Sequence, residues 1–174
     1  MTYFPEVPAA SSKDLKAVKA KIGFVPNAAA RMARSPEVFR AFQRLNAVFA
    51  STDLAPLERE VLIMTVAVRN GCEVCVAMHT AEMVRLEADD ATVNAVKEQR
   101  AIGKARLETM RLFAVEAMET RGEVSDEAME AFLAQGYSTA NALEVVLGIA
   151  AYTLSTFANR MTRAEIDGPL RQFT

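Results

Sequence analysis

Apolar residues recur along this chain at intervals of three and four, the period that lines one face of an α-helix. No run alternates apolar and polar residues for long, so no strand is predicted and the expected fold class is all-α. Ser11-Ser12-Lys13-Asp14 reads as a capping box opening a helix that closes at Gly23. A turn at Val25-Pro26-Asn27 leads into a short helix over residues 28–33. Ser35 as cap and Pro36 at the first helical position open a helix with Phe39, Phe42, Leu45 and Phe49 on one face. Ser51-Thr52-Asp53 breaks that helix, and Pro56 opens the next.

Asn70-Gly71 stops this fourth helix, because glycine accepts the left-handed conformation a helix end often needs. The next helix is expected to begin near Cys72 and run to about Leu86. Asp89-Asp90 starts another, ending near Gly103. Amphipathic patterns then cover residues 104–121 (apolar at Leu107, Met110, Ala114 and Met118) and, after a Ser125 cap, 126–135. The last pattern covers about 138–161, with Leu143, Val146, Leu147, Ala150, Leu154, Phe157 and Met161 on one stripe. Gly168-Pro169 ends helix formation, and the final residues are expected to pack or fray. The connections are short, so a single helical domain over residues 1–174 is expected, with C-terminal helices over 104–162. A similar unit of helix, break, helix, glycine and helix spans 37–86 and 104–161, which makes an internal repeat an alternative reading.

Composition narrows the function classes. A length of 174 residues suits one well-buried core, and 51% hydrophobic residues with a formal charge of −2 describe an ordinary globule. Basic and acidic residues are interspersed, so no nucleic-acid partner is expected. The first residues lack a basic segment followed by an apolar one, as a secretory signal would have. The most apolar stretch, Val145 to Leu154, falls short of the roughly 20 residues that span a bilayer. A cytoplasmic location without a membrane partner is therefore expected. In that reducing compartment, closely spaced cysteines point to catalysis or metal binding rather than to a permanent staple.

Both cysteines and the only histidine lie in one stretch, N-G-C-E-V-C-V-A-M-H, residues 70–79. On a helix opening at Cys72, positions 72, 75 and 79 fall within an arc of roughly 60°. The thiols are then within reach of a disulfide, and His79 stands one turn beyond Cys75, where it can exchange a proton with a thiol. The helix dipole favours a thiolate at Cys72 and the histidine favours one at Cys75, so the residues leave open which sulfur attacks. In the preceding helix, Glu60 stands before the apolar run Val61-Leu62-Ile63-Met64, on the buried side. An antiparallel hairpin about Asn70-Gly71 brings Glu60 and His79 to similar heights, where a carboxylate can orient an imidazole.

Glu60 followed twelve residues on by Cys72-x-x-Cys75-x-x-x-His79 resembles the active-site signature of alkylhydroperoxidase D-like proteins, in the carboxymuconolactone decarboxylase superfamily. G-F-V-P-N from Gly23, S-P-E-V-F from Ser35 and P-L-E-R-E-V-L-I-M from Pro56 are similar to the same family. The resemblance is specific over about residues 22–88 and general beyond. It implies an AhpD-like helical bundle, a homotrimer or homohexamer, and a hydroperoxide peroxidase needing no metal or other cofactor. By this resemblance Cys75 attacks the peroxide, Cys72 donates a proton and then closes a Cys72–Cys75 disulfide, and Glu60 and His79 relay protons. A dithiol reductant, lipoyl-type or thioredoxin-like, would reopen the disulfide. The sequence departs from the best-known members at Val74, where they carry a second histidine.

Other readings compete. The C-x-x-C pair could be a buried pair without function, and Glu60 could be a surface acid paired with Arg59. Cys72, Cys75, His79 and Glu60 could form a zinc set, although structural zinc sites usually hold more cysteine or histidine. Covalent haem attachment expects histidine directly after the second cysteine, where Val76 stands. Within the resemblance, a dithiol adaptor serving a separate peroxidase and a non-redox lyase of the decarboxylase type are the alternatives. Met64, Met78 and Met83 read as core filler, and the phenylalanine face as core or oligomer interface.

Overall fold

Side-chain caps set four helix starts in this protein, whose computed structural model describes residues 13–174. The chain forms α1 (Lys13–Ile22), α2 (Asn27–Met32), α3 (Pro36–Ala50), α4 (Pro56–Arg69), α5 (Glu73–Arg85), α6 (Asp90–Lys97), α7 (Ala105–Glu119), α8 (Asp126–Ala134) and α9 (Thr139–Met161), then a 3₁₀ helix at Gly168–Phe173. No strand occurs among the described residues. Ser35, Asp89, Ser125 and Ser138 each accept a hydrogen bond from the backbone N–H three residues on, satisfying donors that a helix start leaves free. The capping box read at Ser11-Ser12-Lys13-Asp14 falls largely outside the described residues.

Helix α4 is the central element. Its residues from Glu60 to Ala67 are all buried, and it packs against α5, α6, α7 and α9. The principal core gathers around it, from Phe49 on α3 through Phe113 on α7 and Phe132 on α8 to Val145 and Tyr152 on α9. Leu15, Met32 and Phe39 form a smaller cluster under α1–α3. The last segment packs rather than frays. Asp167 is buried and accepts from the backbone N–H of Asn27 at 3.1 and 3.2 Å, tying this segment to the start of α2. Burial pushes its carboxyl above the usual carboxylate range.

Two expectations from periodicity need correction. Helix α6 ends at Lys97, not near Gly103, because Gln99 takes the left-handed conformation (φ 55°) and Arg100 N–H bonds back to Ala95 O. The apolar stripe of the last helix exists, but much of it faces outward. Leu143 is 73% exposed and Met161 70%, with Val146 and Phe157 also exposed. The inward side carries Ala142, Val145, Gly148, Ala151, Tyr152, Ser155, Thr156 and Asn159. By length and composition α9 could cross a bilayer, yet this second face is packed into the protein.

Gly148 explains how that face gets so close. A Cβ there would lie 2.6 Å from Leu62 Cδ2 and 2.8 Å from Phe49 Cε2, inside contact distance of two fully buried side chains. Glycine thus lets the backbone of α9 approach α3 and α4 directly. Gly148→Val is expected to lower stability by about 1–3 kcal/mol through overpacking. Urea unfolding would read this as a lower midpoint at unchanged slope, and an unchanged midpoint would mean the helices can separate without cost.

Candidate active site

The turn between α4 and α5 is built by Asn70 and Gly71. Gly71 adopts φ +63°, and Cys72 N–H returns to Ala67 O at 2.9 Å, closing the end of α4. The turn is pinned to α9 by Asn70 Nδ2 donating to Thr156 Oγ1 at 2.9 Å and by Arg160 Nη1 donating to Asn70 O. Cys72 then serves as N-cap of α5, and Cys75 lies in its first turn. Both sulfurs therefore sit at the positive end of α5, so the dipole does not set one against the other as the sequence reading supposed.

Cys72 and Cys75 have Cα atoms 5.3 Å apart and their sulfurs at disulfide-bonding distance. Both residues are buried, at 2% and 3% exposure. Four residues on from Cys75, His79 Nδ1 meets Glu60 Oε2 at 2.8 Å across the α4–α5 hairpin. As donor to this carboxylate, Nδ1 would carry the ring proton and leave Nε2 free of the bond. The hairpin thus brings together the acid and the imidazole that their spacing about Asn70-Gly71 matched in height. Burying Glu60 without this partner would leave a desolvated carboxylate.

Helix α9 supplies residues that motif reading missed. Asn159 Nδ2 donates to Cys75 Sγ at 3.3 Å from a fully buried position. Tyr152 meets the His79 ring edge-on at 5.3 Å between centroids and donates its hydroxyl to Asn46 Oδ1 at 2.7 Å. Burial, reinforced by the Glu60 charge, pushes the Tyr152 phenol well above its ordinary value, so it stays a donor. A signal did exist. Tyr152, Ser155, Thr156 and Asn159 follow i, i+3, i+4, i+7 spacing, a polar stripe at the same period as the apolar one beside it.

The two sulfurs open on different spaces. Cys75 and His79 line an inner cavity of about 270 Å³, walled by Met32, Phe39, Phe42 and Tyr152 with Asn46 and Asn159 as polar points. Cys72 lines a separate outer groove of about 540 Å³ with Glu73, Arg160, Arg163, Ile166 and Arg171. Asn159 borders both. Among the described residues, no three His, Cys, Asp or Glu side chains group so as to hold a metal ion, so the zinc set of Cys72, Cys75, His79 and Glu60 is not assembled.

Residues 36–119 match the carboxymuconolactone decarboxylase family model, a span that holds all four of these residues. Over this segment the chain is similar to the carboxymuconolactone decarboxylase superfamily. Its fold is AhpD-like. A structure from Ralstonia eutropha JMP134, an alkylhydroperoxidase AhpD core described as an uncharacterized peroxidase-related protein, superposes with TM-score 0.80 at 24% identity, covering 89% of this chain and 84% of that one. An uncharacterized peroxidase-related protein from Silicibacter sp. TM1040 gives TM-score 0.79 at 21% identity, over 91% and 86%. A cysteine-to-alanine variant of the debrominase Bmp8, in complex with 2,3,4-tribromopyrrole, gives TM-score 0.79 at 18% identity, over 99% and 96%. Among curated proteins none matches.

The amide of Asn159 is aimed at the sulfur that faces the cavity, where a hydrogen-bond donor favours a thiolate. Asn159→Ala is expected to slow alkylation of Cys75 by iodoacetamide in the reduced protein about three- to tenfold at neutral pH, since bonds to charged groups contribute about 1.5 kcal/mol or more. Peptide mass mapping separates the two cysteines. Equal slowing at Cys72 and Cys75 would show a general structural effect instead.

Proposed function

We propose that this protein is a thiol-dependent peroxidase that reduces small apolar organic hydroperoxides. The observation that carries the reading is the placement of Cys75 on the wall of a largely apolar cavity beside a Glu60-paired histidine, with Cys72 at bonding distance behind it. The Cys75 thiolate attacks the outer peroxide oxygen. The S–O bond forms as the O–O bond breaks, giving a sulfenic acid and an alkoxide. The alkoxide takes a proton from Cys72 or from the His79 relay and leaves as an alcohol. Cys72 sulfur then attacks Cys75 sulfur, forming the disulfide as the S–O bond breaks and water leaves with a relayed proton. Two electrons have passed to the peroxide, and an external thiol or dithiol must return them.

A second reading draws on the aromatic cavity walls. Phe39, Phe42 and the Tyr152 ring suit a flat ring, and the debrominase resembles this chain over nearly its whole length. A carbon–bromine bond exchanged for carbon–hydrogen would consume the same thiol pair, releasing bromide and ending at the same disulfide. The exposed apolar stripe of α9 (Leu143, Val146, Phe157, Met161) supports self-association as a homotrimer or homohexamer.

Mixing the reduced protein with cumene hydroperoxide should consume peroxide and remove two hydrogens from the protein mass. Cys75→Ser should abolish consumption, Cys72→Ser should stop at a sulfenic acid that dimedone captures, and Glu60→Gln should slow turnover about ten- to hundredfold. Full turnover by Cys75→Ser would overturn the assignment of the nucleophile. Oxidation by 2,3,4-tribromopyrrole alone would favour debromination, and oxidation only by a disulfide-bearing partner protein would favour an adaptor. Sedimentation should report a trimer or hexamer that Phe157→Asp converts to a smaller species, and a monomer in the unsubstituted protein would remove the oligomer proposal.

A further inference from the structure

The outer groove has a chemistry of its own. It reaches Cys72 but not Cys75, whereas the inner cavity reaches Cys75 but not Cys72. Three guanidinium groups, from Arg160, Arg163 and Arg171, line it together with the carboxylates of Glu73 and Glu165. Among the described residues, Arg163 and Arg171 make no side-chain hydrogen bond or ion pair, and neither do the carboxylates of Glu73 and Glu165. Charges of both signs without a partner among the described residues thus gather around one concavity, whereas Arg85 and Arg100 pair with near neighbours in sequence. Arg160 is held at the rim, donating to Asn70 O, and Gly71 leaves the space for it. A Cβ at Gly71 would stand 3.3 Å from Arg160 Nη1. The groove volume of about 540 Å³ is that of a small-molecule site.

We propose that this groove binds the electron donor of the disulfide, and that the donor is a low-molecular-mass thiol of about tripeptide size carrying carboxylates and an ammonium group. The inference rests on the redox reading of Cys72 and Cys75. Carboxylates pair with Arg163 and Arg171, for which the planar guanidinium fork is suited, and the ammonium pairs with Glu73 or Glu165. The donor thiolate attacks Cys72 Sγ from the groove. A bond forms between donor sulfur and Cys72 sulfur as the Cys72–Cys75 bond breaks, and Cys75 leaves as a thiolate facing the inner cavity, where Asn159 donates to it. A second donor thiolate attacks the donor sulfur of the mixed disulfide. Donor disulfide leaves, and Cys72 sulfur is released as a thiolate that takes a proton from solvent. Two donor thiols are oxidised for each protein disulfide reduced. Entry at Cys72 regenerates the sulfur that faces the peroxide, and oxidant and reductant never compete for one space.

Glutathione is a probe with this charge pattern, and its glycine monoethyl ester carries the same thiol with one carboxylate blocked. With the oxidised protein, thiol release driven by glutathione should saturate with concentration and run about tenfold faster than with the ester, the equivalent of ~1.4 kcal/mol. Added salt should narrow that gap. In Arg163→Ala/Arg171→Ala, the ratio of the glutathione rate to the 2-mercaptoethanol rate should fall about tenfold. S-methylglutathione, which is unable to reduce a disulfide, should bind the unsubstituted protein in a calorimetric titration and not the double variant. Equal rates with glutathione and its ester, or a ratio untouched by the double substitution, would overturn the proposal while leaving peroxide consumption as it stands. Binding of S-methylglutathione that depends on the arginines in a protein inert to peroxides would uphold the groove and remove the peroxidase reading.

Discussion

The close passage of α9 over α3 and α4 at Gly148 is the contact from which the site is organised. Most helices in a bundle are kept apart by their side chains, and the polar residues they carry then meet at that distance. Here the missing Cβ brings one backbone against Leu62 and Phe49. The residues that follow on the same face are delivered deep into the protein. Tyr152, one turn on, reaches the ring of His79, and Asn159, three turns on, reaches the sulfur of Cys75. A wider separation would leave both side chains short of α5.

Burying the Glu60 carboxylate has an equally local solution. Its side chain is withdrawn from water, and His79 Nδ1 supplies a directed partner across a hairpin whose register is set by Asn70-Gly71. The same bond orients the imidazole with its other nitrogen free. One interaction therefore both satisfies a buried acid and orients the imidazole beside Cys75. Tyr152, kept protonated by burial, closes the other side of the ring.

Separation of access is the consequence with most bearing on function. Adjacent positions on a helix usually share one environment, yet Cys72 and Cys75 do not, because one caps α5 and the other belongs to its first turn. The last segment, fastened to α2 through Asp167, supplies Ile166 and Arg171 to the Cys72 side, while α2 and α3 wall the Cys75 side. A disulfide placed between two such spaces can accept electrons on one face and spend them on the other.

Much of this was legible from the residues alone. Helix period, Ser and Asp caps and the Asn70-Gly71 stop are local effects decided within a few residues, so the helical elements and the α4–α5 hairpin followed directly. The hairpin in turn placed Glu60 level with His79, because rise per residue converts sequence distance into height. At Gln99 a non-glycine residue takes positive φ and ends α6 early, and that boundary was misplaced. Periodicity found the more apolar stripe of α9 and passed over the other, without saying which faced inward: the one carrying Leu143 and Phe157 lies outside. Only packing decided that, since the side that enters the core is chosen by which backbone can approach α4, and Gly148 lies on the other stripe. Asn159 beside Cys75 and the two opposed openings of the cysteine pair are contacts between segments more than eighty residues apart. No local preference encodes them, and they exist only once the helices have closed on one another.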